Sequence, residues 1–177
     1  ALERLEAMEV DKLWLPGAIV DWKTGLPTGK PFTDSPKRHT HCSQFVAAAS
    51  FRLEVPLLRP PEHSVVGLAN AQNAWLDTPA ARKAGWVRLK DAAEAQRFAS
   101  QGRLVLASVS NPDPTRAGHI AIVRPGEKSS ELLAQEGPDI MQAGGTNFMR
   151  ASLRRGFANH PKEYDVIAFH AHAVELP

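Results

Sequence analysis

The sequence predicts an α+β domain in which N-terminal helices pack on a small antiparallel β-sheet. Two observations carry this reading. Apolar residues recur at helical spacing up to Gly102, and beyond it they fall into the short runs and alternations that strands use. Proline- and glycine-rich breaks punctuate the chain without leaving two halves that have cores of their own, so residues 1–177 read as one domain.

In chain order, residues 1–9 read as a short helix, and Leu15 to Pro36 as a structured loop held down by the bulky rings of Trp14 and Trp22. A helix is expected from Thr40, a good N-cap. Cys42, Phe45, Val46 and Ala49 follow at i, i+3, i+4 and i+7. Pro56 to Pro61 breaks the chain. Val65 to Leu76 reads as the next helix, with Leu68, Ala71 and Trp75 on one face. Asp91 and Glu94 form a capping box ahead of the stripe Ala92, Ala95 and Ala99, which Gly102 ends. Strands are expected over Arg103 to Val109, His119 to Arg124 and Asp139 to Ala143, with a closing strand over Asp165 to His172. Asn147 to Gly156 reads as a short helix that spaces Arg150, Arg154 and Arg155 along one face, a solvated face or, as the alternative, one that touches an anionic polymer.

Composition narrows the function. Hydrophobic residues make up 43% and charged residues 23%, as in an ordinary globular protein, which excludes general disorder. A formal charge of +2 is too small to argue for nucleic acid or a membrane surface as the main partner. No apolar run is long enough to span a bilayer. The single cysteine, Cys42, rules out an intramolecular disulfide and a thiolate zinc cluster.

That cysteine is the first candidate for chemistry. At the start of a helix it faces unpaired backbone N–H groups and a partial positive charge, which favour a thiolate and can hold an oxyanion. The plain alternative is a small core residue. His119, behind Gly118, opens an apolar strand, so it needs a polar partner or a place at the sheet rim. Gly118 suits close approach by another backbone or a ligand. A base also needs a group that fixes its tautomer, and Gln142 and Asn147 are the candidates. Gln142 would lie beside His119 if their strands pair, whereas Asn147 would also serve as a helix cap.

Cys42-Ser43-Gln44-Phe45-Val46 resembles the nucleophile helix of the NlpC/P60 and CHAP amidases, and Gly118-His119-Ile120-Ala121-Ile122-Val123 is similar to their histidine strand, in the same order. The resemblance runs from about Thr40 to Asn147. It implies a papain-like fold and hydrolysis of amide bonds in peptidoglycan through a Cys42–His119 pair and a thioester. It also implies a secreted, periplasmic or delivered enzyme without cofactor or metal. The expected partners are peptidoglycan or its stem peptides and an inhibitor or immunity protein. Gln142 stands where those families use an acidic or polar third residue, at a longer interval from the histidine. The chain begins at Ala1 rather than Met, which fits a removed leader.

Two rival readings stay open. His39, His41, Cys42 and His119 could hold a metal, although His-x-His-Cys is not a usual zinc spacing. A binding module on the same fold could hold glycan or peptide without turning it over. His170 and His172 read as surface residues of the last strand, and His160 carries no assignment.

Overall fold

The computed structural model describes residues 1–31 and 41–175, without the side chains of 29–31. Thr40 and His39 therefore lie outside the described residues, as does the end of the expected loop beyond residue 31. Short helices α1 (Leu2–Glu6) and α2 (Val10–Leu13) open the chain, and a small antiparallel pair follows, β1 (Ala18–Val20) with β2 (Pro27–Pro31). The expected loop is thus a hairpin. The neighbouring tryptophans do pack: Trp14 is fully buried edge-on to Phe45, and Trp22 meets Phe51 edge-on.

Next come α3 (Cys42–Arg52), α4 (Leu68–Leu76) and α5 (Pro79–Lys83), then β3 (Val87–Leu89) and α6 (Ala92–Ser100). The chain continues through β4 (Leu104–Val109), β5 (His119–Val123), α7 (Ser130–Glu136), β6 (Asp139–Gln142), β7 (Phe148–Ser152), α8 (Leu153–Gly156) and β8 (Ala168–His172). The main sheet has six strands in the order β3-β8-β4-β5-β6-β7, and every neighbouring pair is antiparallel. The class is therefore α+β with a small antiparallel sheet.

Strand alternation explains how that sheet is covered on both faces. On one side Leu104, Leu106, Ile120, Ile122 and Met141 pack against Phe45, Val46 and Ala49 of α3 and Ala69 and Leu76 of α4. On the other, Val105, Ala107, Ala121, Val123 and Ile140 pack against Ala95 and Ala99 of α6 and against Leu153 and Phe157. Strands β4 and β5 are buried at every position, which is why they read as nearly continuous apolar runs. Helix α6 starts as expected, with the Asp91 carboxylate accepting the Glu94 N–H at 2.9 Å. Gly102, just past its end, has φ +83°, a conformation that glycine adopts without penalty.

Several expectations need correction. The first helix ends at Glu6 rather than at residue 9, a second short helix follows it, and α4 starts at Leu68 rather than Val65. The buried face of α4 is Leu68, Ala69, Gln72 and Leu76, not the Leu68–Ala71–Trp75 stripe. Residues Phe148–Ser152 form edge strand β7 instead of a helix, so Arg150 projects from a strand toward Asp139 at 3.7 Å. The helical turn there is only Leu153–Gly156, started by the Ser152 hydroxyl, which accepts the Arg155 N–H. The closing strand is Ala168–His172, preceded by a 3-10 turn over Tyr164–Val166.

Candidate functional site

Cys42 is the first residue of α3, with His41 as its N-cap, one position earlier in the helix than a Thr40 cap would give. The His41 side chain caps no backbone N–H of the helix. Its Nδ1 pairs with Gln44 Oε1 at 3.0 Å instead. The turn is held from α4, where the fully buried Gln72 amide donates to the Ser43 carbonyl at 3.1 Å and the Leu58 carbonyl at 3.0 Å. The thiol lies against the sheet. The backbone N–H groups of Ile120, Ser43 and Cys42 itself favour the thiolate. Burial outweighs them, because Cys42 is only 5% exposed, and it pushes the thiol pKa up. The helix start thus does not by itself ionise this sulfur, contrary to the expectation from the sequence.

His119 opens β5, the strand whose second residue, Ile120, faces the thiol. Its Nε2 lies 2.6 Å from Gln142 Oε1 in the neighbouring strand β6. An amide oxygen can only accept, so Nε2 carries the proton and Nδ1 holds the lone pair. The Gln142 amide is itself fixed, since its Nε2 donates to the Thr146 carbonyl at 2.9 Å and leaves Oε1 for the imidazole. The His119 ring meets Phe157 edge-on at 4.6 Å and stacks on His160 at 6.0 Å, with the ring planes 4° apart. Burial away from water lowers the His119 pKa to about 4, so the imidazole is neutral at pH 7.

The two groups therefore reach the same end of β5 from opposite faces of the sheet. Cys42 belongs to the cluster with Ile120 and Ile122, while His119 shares the face of Ala121 and Val123 and leans on Phe157. The hydrogen bonds of the described residues include none between Cys42 and the imidazole. Gly118 explains why the chain can pack tightly here, because a Cβ would collide with the Val109 carbonyl and lie 2.5 Å from Asn70 Oδ1. The close approach expected at this glycine is made by the neighbouring backbone.

Asn147, the other orienting candidate, has a different role. Its Oδ1 accepts the Gly144 N–H at 2.9 Å, and its Nδ2 donates to the Val10 carbonyl at 2.8 Å and the Trp14 carbonyl at 2.7 Å. It ties the α2 region to the turn after β6 and does not pair with His119.

A cleft of about 1030 Å³ opens beside the imidazole. His119, Gln142, Gly144, Gly145, Arg116 and Arg155 line it, together with Asn159 and His160. The thiol does not. His160 and Arg116 escaped the sequence reading because they sit in loops, where no periodicity marks them; Arg155, expected on a solvated helix face, sits in α8 and lines the cleft instead. Burial lowers the His160 pKa, and the nearby Arg116 charge adds to the effect.

Of the two histidines of the last strand, one is buried and the other half-buried. His170 is completely buried, and its Nε2 lies 2.8 Å from Asp77 Oδ1, which Arg88 also grips. His172 places its ring nitrogens against the carbonyls of Ala84 and Ala173. Asp77 and the Ala84 carbonyl are far away in sequence, which is why the strand pattern left both histidines on the surface. Among the described residues no group of three His, Cys, Asp or Glu side chains is placed to hold a metal ion. No helix there is long and apolar enough to cross a membrane.

The fold and site define an α+β domain with a buried histidine–glutamine pair at the start of β5 and a helix-opening cysteine on the opposite face of the sheet. No known family model matches the chain, and no curated protein matches it either.

Proposed function

We propose that the protein is a papain-like cysteine hydrolase that cuts amide bonds in bacterial peptidoglycan, with Cys42 as nucleophile, His119 as base and Gln142 as the residue that orients the base. The observation that carries the reading is the 2.6 Å His119 Nε2–Gln142 Oε1 contact, on the strand whose Ile120 shares a buried cluster with Cys42. That contact frees Nδ1 to accept a proton. The peptidoglycan substrate rests on the resemblance of the Cys42 and Gly118–Val123 segments to the NlpC/P60 and CHAP amidases. The same proposal locates the protein outside the cytoplasm, where that polymer lies.

Both partners are neutral at rest, so the chemistry begins from thiol and imidazole, not from an ion pair. As substrate enters, His119 takes the Cys42 thiol proton while sulfur attacks the amide carbon. Backbone N–H groups at the start of α3 stabilise the oxyanion. The C–N bond then breaks, and His119 returns the proton to the leaving amine. Water attacks the thioester, gives a proton to His119 and releases the carboxylic acid, and the imidazole reprotonates the sulfur. The step requires sulfur and imidazole to come into reach of one another when substrate binds. Digestion of purified peptidoglycan, with mass spectrometry of the fragments, tests the proposal. New amine and carboxyl ends are expected, and Cys42→Ala should remove them while leaving the fold intact. Full activity in that variant would overturn the mechanism.

A second reading, a binding module on this fold, is favoured by one observation, the burial of Cys42 with its raised thiol pKa. Iodoacetamide separates the two. In a hydrolase, substrate fragments should accelerate alkylation of Cys42. In a binding module they should slow it or leave it unchanged.

A further inference from the structure

The cleft beside the His119–Gln142 pair carries positive charge from more than one direction. Arg116 and Arg155 both line it, and no Asp or Glu among the described residues does. The Arg155 guanidinium lies 4.8 Å over the Phe148 ring, itself part of the wall. Arg116 belongs to the turn just before Gly118, anchored where its carbonyl accepts the Asn70 amide at 2.9 Å. Part of the wall is bare, because Gly144 and Gly145, which also line the cleft, carry no side chain. A Cβ on Gly144 would lie 3.3 Å from His119 Cε1. A main chain can thus run close to the imidazole.

We infer that this cleft binds an anionic peptide segment, whose carboxylate is held by Arg116 and Arg155 while its main chain passes over Gly144 and Gly145. The inference rests on the proposed hydrolase function, whose base His119 lines this cleft. A guanidinium fork fits carboxylate and phosphate alike, so charge alone does not choose between them. The bare glycine wall next to the base favours a peptide backbone.

Calorimetric titration of the Cys42→Ala protein tests this without turnover. The probes are soluble stem peptides released from peptidoglycan, with free carboxylates, and the same peptides with every carboxylate converted to carboxamide. The acid form should bind about tenfold more tightly, a margin that narrows as salt is raised. Arg116→Gln with Arg155→Gln should shrink the preference to within about twofold, and the single variants should each give part of that loss. Circular dichroism checks that these variants fold. Equal affinity for the two peptides, no binding of either, or a preference that survives in the folded double variant would overturn the inference. Inorganic phosphate competing as well as the acid peptide would overturn the peptide assignment. Peptidoglycan cleavage by the unaltered protein is read separately. Cleavage without carboxylate preference removes this inference alone, and preference without cleavage removes the hydrolase reading alone.

Discussion

At the scale of single residues, the Gln142 side chain decides which imidazole nitrogen is available. Replacing it with alanine removes the acceptor for His119 Nε2–H, and kcat on peptidoglycan fragments should fall by about 10- to 100-fold with little change in KM. Gln142→Glu keeps an acceptor but adds a negative charge that favours the imidazolium. It should restore part of the rate and move the acid limb of kcat/KM upward from its starting position near pH 4, the value to which burial lowers His119. An unmoved limb would mean that another group titrates. Gly156 enforces the same geometry, since a Cβ there would lie 2.6 Å from Gln142 Oε1 and 2.7 Å from Ile140 Cδ1. Gly156→Ala should therefore lose activity and about 1–3 kcal/mol of stability, checked by denaturant unfolding. The sequence made Gln142 findable, because it falls in a strand next to that of His119. It hid the burial of Cys42, since the sheet that covers the sulfur is assembled from residues far along the chain.

At the scale of elements, legibility followed burial. Strands β4 and β5 and helix α6 announced themselves because their buried positions are continuous or strictly periodic. Strand β7 did not, because Phe148, Met149 and Arg150 are half-buried or exposed at the sheet edge and its pattern borrows from the neighbouring helical turn. Helix α6 begins on Asp91, whose carboxylate satisfies an otherwise unpaired N–H. Asp91→Ala should cost about 1 kcal/mol, read as a lowered unfolding midpoint with unchanged cleft binding. Asn147 binds two segments at once, holding α2 through the Val10 and Trp14 carbonyls. Asn147→Ala should cost more, on the order of 2–3 kcal/mol, because it orphans several backbone groups that are partly removed from water.

At the scale of the whole molecule, the buried histidines set the response to acid. His119, His160 and His170 all have pKa values lowered by burial, so the folded state binds protons less readily than the unfolded chain. Their contribution to stability is complete above the ordinary histidine value near 6.5 and is lost as pH falls below it. For His119 the loss runs from about 6.5 down to about 4 and amounts to roughly 3 kcal/mol. The unfolding temperature should therefore drop through that window, and His119→Gln should flatten the slope. A slope of unchanged steepness in that variant would assign the effect to other groups. None of this was readable from the strand pattern, which put His170 at the surface, because its partner Asp77 approaches from the end of α4.

The strand order has a kinetic corollary. Strand β8 lies between β3 and β4, so Ala171 meets both Val87 and Val105 across its two edges. A chain emerging from the ribosome must keep that slot vacant until β8 has been synthesised, exposing two unpaired strand margins meanwhile. The nascent protein thus depends on a late insertion that closes the sheet from within, and a nick or stall just upstream of β8 would leave a sticky, half-zipped intermediate rather than a weakened native molecule.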